Sequence, residues 1–316
     1  MTAITGEQAF FRRRPVVLVT ALLCCLIWGV SYSLVKIGYR LLQVDTEDII
    51  GKFLFAGVRF TLAGALTIVY ASVRQKRLAL PPTRALPGIA LLSLCQTILQ
   101  YLFIYIGLAH TLSSKSSILN QVGVFLLVIA SPLFFRNERL TVRKALGCSL
   151  GFAGIVLINL NGSWDWRFTM AGEGFVILSS LSAATGYLIS KAVAQRGDPV
   201  VITGYQQLLG GLVLLVPGLA GGGRLALADP AAVILLLFLA VSVAVVYILW
   251  MLLLKYNDVS EMSIFKFGVP VVSFVTSGLL LQEKVISINS LLALLLVSGG
   301  IILVNMKRPG KKDSHV

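Results

Sequence analysis

Residues 119–140 read LNQVGVFLLVIASPLFFRNERL, and residues 264–285 read IFKFGVPVVSFVTSGLLLQEKV. Each is an apolar run that carries Gly-Val near its start and ends on an amide, an acid and a base. Gly123 and Val124 precede Asn137, Glu138 and Arg139; Gly268 and Val269 precede Gln282, Glu283 and Lys284, at a common offset of 145 residues. Upstream the likeness continues in other registers. Trp28, Gly29, Tyr32 and Lys36 stand 155 residues before Ala183, Ala184, Tyr187 and Lys191, and Gly57 and Arg59 match Gly204 and Gln206. The chain therefore reads as five apolar stretches written twice. Because five is odd, the second copy enters a bilayer from the opposite side, which gives an inverted repeat about an axis in the membrane plane.

Composition points the same way. Of 316 residues 57% are hydrophobic and 13% charged, against about a quarter charged in soluble proteins, which excludes a soluble globular domain. Gly (29) and Pro (10) are near ordinary usage, so neither disorder nor a fibrous repeat fits. The expected fold class is all-α integral membrane, with ten transmembrane helices as a 5+5 inverted repeat. Hydropathy places the spans near 16–37, 50–72, 87–108, 114–135, 143–160, 173–192, 200–219, 230–252, 260–281 and 287–306. At about 20 residues per span, roughly a hundred residues remain for short loops and tails. The expected organisation is a tail over 1–15, a first repeat over 16–160, an outside loop over 161–172, a second repeat over 173–306 and a tail over 307–316. Arg12, Arg13 and Arg14 before the first apolar run imitate a signal peptide. That run is too long and lacks a cleavage site, so the first span is expected to stay. The four cysteines, Cys24, Cys25, Cys95 and Cys148, read as small buried hydrophobes.

With the N-terminus taken as cytoplasmic, 18 of the 27 Lys and Arg residues fall on inside segments, seven on outside segments, and two, Arg59 and Lys266, within spans. This bias predicts a multi-pass cell-membrane protein with both termini cytoplasmic. It also accounts for the net charge of +14 as topology and attraction to anionic headgroups, with no nucleic acid as partner.

Trp28-Gly29 with Lys36, the paired segments ending in Asn137-Glu138-Arg139-Leu140 and Gln282-Glu283-Lys284, and Pro270 thirteen residues before Glu283 resemble the drug/metabolite transporter superfamily, EamA type. The resemblance covers residues 16–306. It implies a ten-helix carrier with a central cavity lined mainly by spans one, three, four, six, eight and nine, moving small metabolites by alternating access. Two departures bear on the binding site: Phe125 stands where the second half has Pro270, and Ala183 stands where the sixth span often has an aromatic residue.

Catalytic sets are missing from the sequence. His110 and His315 are the only histidines, so there is no H-E-x-x-H zinc motif and no Ser-His-Asp set. No phosphate-cradling glycine loop and no metal-ligand set occur either, and neither a cofactor nor an enzymatic activity is expected. Glu138 and Glu283 are expected to pair with Arg139 and Lys284 or to cap the next helix. Gly147 and Gly151 form a G-x-x-x-G that predicts close helix packing. Gln96, Gln100, Asn120, Gln121, Gln206 and Gln207 lie inside spans, where each polar side chain needs a partner away from lipid.

The candidate substrate-binding residues are Lys266, Gln121, Asn120, Arg59, Trp28, Tyr32, Tyr187 and Trp250, with packing as the ordinary alternative for the aromatics. A cation left unpaired at the bilayer centre costs at least about 2.5 to 3.5 kcal/mol on insertion scales. Pro270 cannot donate to the carbonyl of Lys266, so a charged amine coincides with a kink. Gln121 is the repeat counterpart of Lys266. The bland expectations are that Lys266 snorkels or pairs with Glu261 or Asp258, and that Arg59 bonds to carbonyls of a neighbouring span. The function expected is a secondary active or facilitative carrier, an exporter of a small metabolite such as an amino acid or related organic compound. Its partners are that substrate and the lipid bilayer, and a homodimer is an arrangement the sequence allows. The alternatives are a nucleotide-sugar or phosphate-ester exchanger of the same superfamily, and a membrane-embedded enzyme or accessory subunit acting on lipid intermediates.

Overall fold

The structure, a computed structural model, describes residues 6–45, 47–111, 116, 119–159, 168–281 and 288–305. Gln282, Glu283, Lys284 and the 307–316 tail lie outside the described residues. Among the described residues the chain is all helical, without a strand. A short helix, α1 (Gly6–Arg12), leads into α2 (Arg14–Leu41) and α3 (Ile49–Gln75). There follow α4 (Leu86–Ser93), α5 (Gln100–Ala109), α6 (Val122–Phe134) and α7 (Val142–Asn159). The remainder comprises α8 (Phe175–Ala194), α9 (Pro199–Ala220), α10 (Pro230–Tyr256), α11 (Val259–Phe265), α12 (Gly268–Leu281) and α13 (Ile288–Asn305). Among the described residues, seven stretches are long and apolar enough to cross a membrane, and Val122–Phe134 and Leu292–Val304 are shorter apolar helices.

Local chemistry sets the helix ends. Asp48, Asp198 and Asp229 each accept a backbone N–H of the first turn they precede, from Gly51, Val200 and Ala231 at 2.8 to 2.9 Å. Pro199 and Pro230 then occupy first-turn positions where no donor is needed. Helix α3 stops at Lys76, whose φ of 52° is left-handed. A π turn at Leu94–Leu99 joins α4 to α5, and wider turns of this kind leave carbonyls without their usual donors. Ser182 donates to the Cys95 carbonyl at 2.7 Å and Ser179 to that of Gln100 at 2.8 Å, so α8 fills the gap.

The helices pair reciprocally. Helix α3 packs along α9 and α7 along α13; α2 lies against α10 and α12, while α8 lies against α5 and α6. Small residues permit these approaches. A Cβ on Gly64 would strike the backbone of Leu208, and one on Gly147 would meet the Gly300 carbonyl at 2.8 Å. The expected close packing at Gly147 and Gly151 is thus present, with Gly151 seated on the Phe267 ring. Outward faces carry bare apolar side chains such as Val19, Val69, Ile234 and Leu295, as a lipid-facing surface requires. Buried amides are used to join helices: Gln206 donates to Thr97 at 2.5 Å, Gln207 to the Val243 carbonyl at 3.3 Å, and Ser190 bonds Gln96 at 3.5 Å.

Candidate functional site

The ninth apolar stretch is not one helix. Helix α11 ends at Phe265, α12 begins at Gly268, and Lys266 stands at the break. Pro270 lacks the N–H that would have continued the ladder to Lys266, and the Val269 N–H takes that carbonyl instead at 3.1 Å. Cys25 donates to the neighbouring Phe265 carbonyl at 3.1 Å. The same turn recurs 145 residues earlier, where the Val124 N–H donates to the Gln121 carbonyl at 2.9 Å just as α6 begins.

At this break the Lys266 amine lies over three aromatic faces. Its Nζ is 3.5 Å from the ring centre of Tyr187, 4.8 Å from that of Trp28 and 5.6 Å from that of Trp250. The two indoles meet edge to face at 5.0 Å. An ammonium is held in such a cage by the negative ring faces, by roughly 0.5 to 2 kcal/mol a contact. The pairing of Lys266 with Glu261 or Asp258 does not form. Both acids turn to Lys144, at 3.8 and 2.9 Å, because Asp258 at the N-cap of α11 and Glu261 in its first turn face the start of α7.

Arg59 forms a second pole. It is buried in α3, its guanidinium carbon 5.0 Å from the Phe60 ring and 5.9 Å from that of Phe55. Its Nη2 reaches the Tyr101 hydroxyl at 3.5 Å, and its Nε finds no acceptor. The expected bonds to carbonyls of a neighbouring span are not seen among the described residues, since aromatic side chains of α3 and α5 fill that space. Tyr39 and Tyr105 lie beside it. A run of rings connects the poles: Phe60 touches Tyr101 (4.8 Å between centres) and Tyr247 (6.4 Å), and Tyr247 touches Trp28 (6.1 Å). Tyr32 is 55% exposed, yet its electrostatic neighbours are Tyr101, Arg59 and Tyr187. Its open face therefore fronts an interior space.

Six of the candidate residues, Lys266, Arg59, Trp28, Tyr32, Tyr187 and Trp250, thus gather around one interior. Gln121 is buried and Asn120 half-buried at the start of α6, and among the described residues no bond or ring contact joins either to the cluster. Tyr39, Phe60, Tyr101, Tyr105 and Tyr247 join the cluster without having stood among the candidates. The signal for some of them was present: Tyr101 and Tyr105 share a face of α5, as Tyr247 and Trp250 do on α10.

A contrasting constellation closes the end of the molecule near α1. Glu138, between α6 and α7, accepts from Lys191 Nζ at 2.6 Å, from the Val259 N–H at 2.9 Å and from the Ser260 N–H at 3.3 Å. The expected partner Arg139 is exposed instead, and the helix that Glu138 caps is the distant α11 rather than the adjacent α7. Burial pushes the Glu138 carboxyl up, but the Lys191 ammonium and the Val259 amide outweigh it and hold the group below its ordinary value. Lys191 also donates to the Asn257 carbonyl at 2.9 Å, and Asn257 bonds the Phe11 carbonyl at 3.0 Å. Lys144 binds Ser260 at 2.7 Å besides Asp258. Five chain segments are tied together here.

Known proteins share this chain's sequence pattern and its fold. An uncharacterized transporter of Bacillus subtilis strain 168, YvbV, is 28% identical over 293 residues, which is 92% of each chain. One from Archaeoglobus fulgidus is 26% identical over 89% of this chain and 95% of its own. A protein of Escherichia coli strain K12 named "Probable amino-acid metabolite efflux pump" is 25% identical over 89% of this chain and 92% of its own. A crystal structure of a protein 17% identical aligns over 90% of this chain and 96% of that one, with a TM-score of 0.72, a likeness of fold. The EamA-like transporter family matches residues 16–160 and again residues 170–306. Most of the sequence lies within those two segments, and this chain belongs to the EamA-like transporter family.

Proposed function

We propose that this protein is a secondary carrier that exports a small carboxylate-bearing metabolite, an amino acid or related organic compound, by alternating access. The observation that carries the reading is the pair of interior cations. Among the described residues neither Lys266 nor Arg59 has a carboxylate partner, and both are held by ring faces around the interior that Tyr32 fronts. Cation–π contacts offset part of the transfer penalty and leave the charges able to accept an anion. Aromatic walls suit the apolar part of such a substrate. The efflux function in the name of the Escherichia coli relative supports the same class.

The five-plus-five inverted arrangement is supported by the exchanged pairings of α2 and α8 and by the matching turns at Gln121 and Lys266. With both termini cytoplasmic, the Glu138 cluster closes the cytoplasmic end while the interior is wetted from outside. Lys266 then sits at the broken helix, where carriers of inverted-repeat design hold substrate.

Reconstituted in liposomes, the wild-type protein is expected to exchange labelled amino acids without hydrolysing ATP, and Lys266→Gln is expected to stop exchange while reconstituting normally. Wild-type rates in that variant, or a purely cationic substrate, would remove Lys266 from the site. Competition by a phosphate ester in place of amino acids would favour the exchanger reading. The orientation has its own test: a cysteine introduced at position 76 should resist external labelling in intact cells, and ready labelling there overturns it.

A further inference from the structure

At the end of the molecule near α1, a cavity of about 690 Å³ opens between the α1–α2 junction, the start of α7 and the α10–α11 connection. Arg12, Arg14, Arg139, Arg143 and Lys144 face it, against the two acids Asp258 and Glu261. Lys144, 4% exposed, forms a built wall: it bonds Asp258 and Ser260, and Glu261 leans toward the same amine. Glu261 also feels the Arg14 charge, and five cations against two acids give the cavity an excess of positive charge, four of the five being guanidinium groups. That geometry matches the oxygens of a phosphate.

The chain between Phe135 and α7 shows what carries the phosphate. Arg139, Thr141 and Arg143 line the cavity, while Leu140, in the irregular stretch before α7, and Val142, the first residue of that helix, are 51% and 75% exposed beside them. Basic and exposed apolar side chains thus lie next to each other at this edge. Leu133 and Phe134, at the end of α6, and Leu146, on α7, extend the apolar face. A free anion has no use for such a face, whereas acyl chains lie along it while their headgroup enters the basic cavity. We infer that this cavity is a binding site for the phosphate headgroup of an anionic phospholipid. The site is separate from the aromatic interior and stands whether or not the proposed substrate is correct.

The test uses the full-length protein, purified in detergent and offered phosphatidylglycerol or phosphatidylcholine, with bound lipid counted by native mass spectrometry. Wild-type protein should retain phosphatidylglycerol preferentially. In Arg12→Gln/Arg139→Gln, two exposed positions whose loss leaves the fold intact, affinity for it should fall roughly 30-fold, at about 1 kcal/mol per cation. Lys76→Gln/Arg77→Gln, which removes two charges elsewhere, should leave the preference unchanged. Equal retention of the two lipids by the wild type, or equal losses in both variants, would reduce the cavity to general surface charge and overturn the inference. Displacement of phosphatidylglycerol by millimolar inorganic phosphate would identify a free-phosphate site and overturn it as well.

Discussion

Two groups of buried charge in this protein are stabilised in opposite ways. At the end near α1, Glu138 meets Lys191 and two backbone amides, and Asp258 meets Lys144, so each charge has a charge or a dipole matched to it. In the interior, Lys266 is held by ring faces and Arg59 by ring faces and a hydroxyl, and among the described residues neither has a carboxylate partner. The first arrangement gives each acid its own partner and ties segments together. The second leaves a cation partly compensated, which is stable enough to fold yet open to an incoming anion. A transporter needs both: a closure strong enough to hold one end, and a site not already filled by its own side chains.

Removing a cation should therefore change stability with opposite sign in the two regions. Lys191→Met strands the Glu138 carboxylate in a buried place and is expected to lower stability by about 3 to 5 kcal/mol, read as a fall in melting temperature in detergent. Adding Glu138→Gln should restore most of that loss. Acid should act through the same carboxyl. Its folded pKa lies below the ordinary 4.5, so its stabilisation is complete above the unfolded value and is lost as pH falls from there through the folded value. Melting of the wild type should be flat near neutrality and decline below about pH 5, with a weaker decline in Glu138→Gln.

In the interior, Lys266→Gln should cut transport by about 100-fold or more, the scale for truncating one partner of a buried charged contact, with melting temperature equal to or above that of the wild type. A destabilised Lys266→Gln would mean that the cage is structural and would erase the contrast. Tyr101→Phe removes the hydroxyl that hydrogen-bonds Arg59. It should cost about 0.5 to 1.5 kcal/mol in substrate affinity or stability, measurable as a modest rise in the half-saturation concentration. The smallest effect is expected at the surface: Arg74 pairs with Asp198 in an exposed position, and Arg74→Ala should change stability by no more than about 1 kcal/mol and leave transport intact.

Much of this contrast was legible before any coordinates. Pro270 beside a lone intramembrane lysine announces a broken helix with a charge at the break, because the missing N–H is a property of one residue and acts on a carbonyl four positions away. The four-residue spacing of Trp28 and Tyr32 places them on one face by helix geometry alone. What they face, however, is set by helices hundreds of residues apart in sequence: Tyr187 and Trp250 close the cage from α8 and α10. The same holds for Glu138, whose nearest base along the chain is Arg139 but whose partner is Lys191. Glu138 turns inward while Arg139 turns to the surface, so the neighbour in sequence was the wrong neighbour in space.

Sequence by itself determined that this chain is helical and apolar enough to enter a membrane and that two cations would lie within its apolar stretches, because hydropathy and charge act over a few residues and need no tertiary context. Which charges become paired and which remain open was decided only by the tertiary structure. Long-range packing selects the partner of each buried group, and the approach of α2, α8, α10 and α11 allots acids to the closed end and rings to the interior.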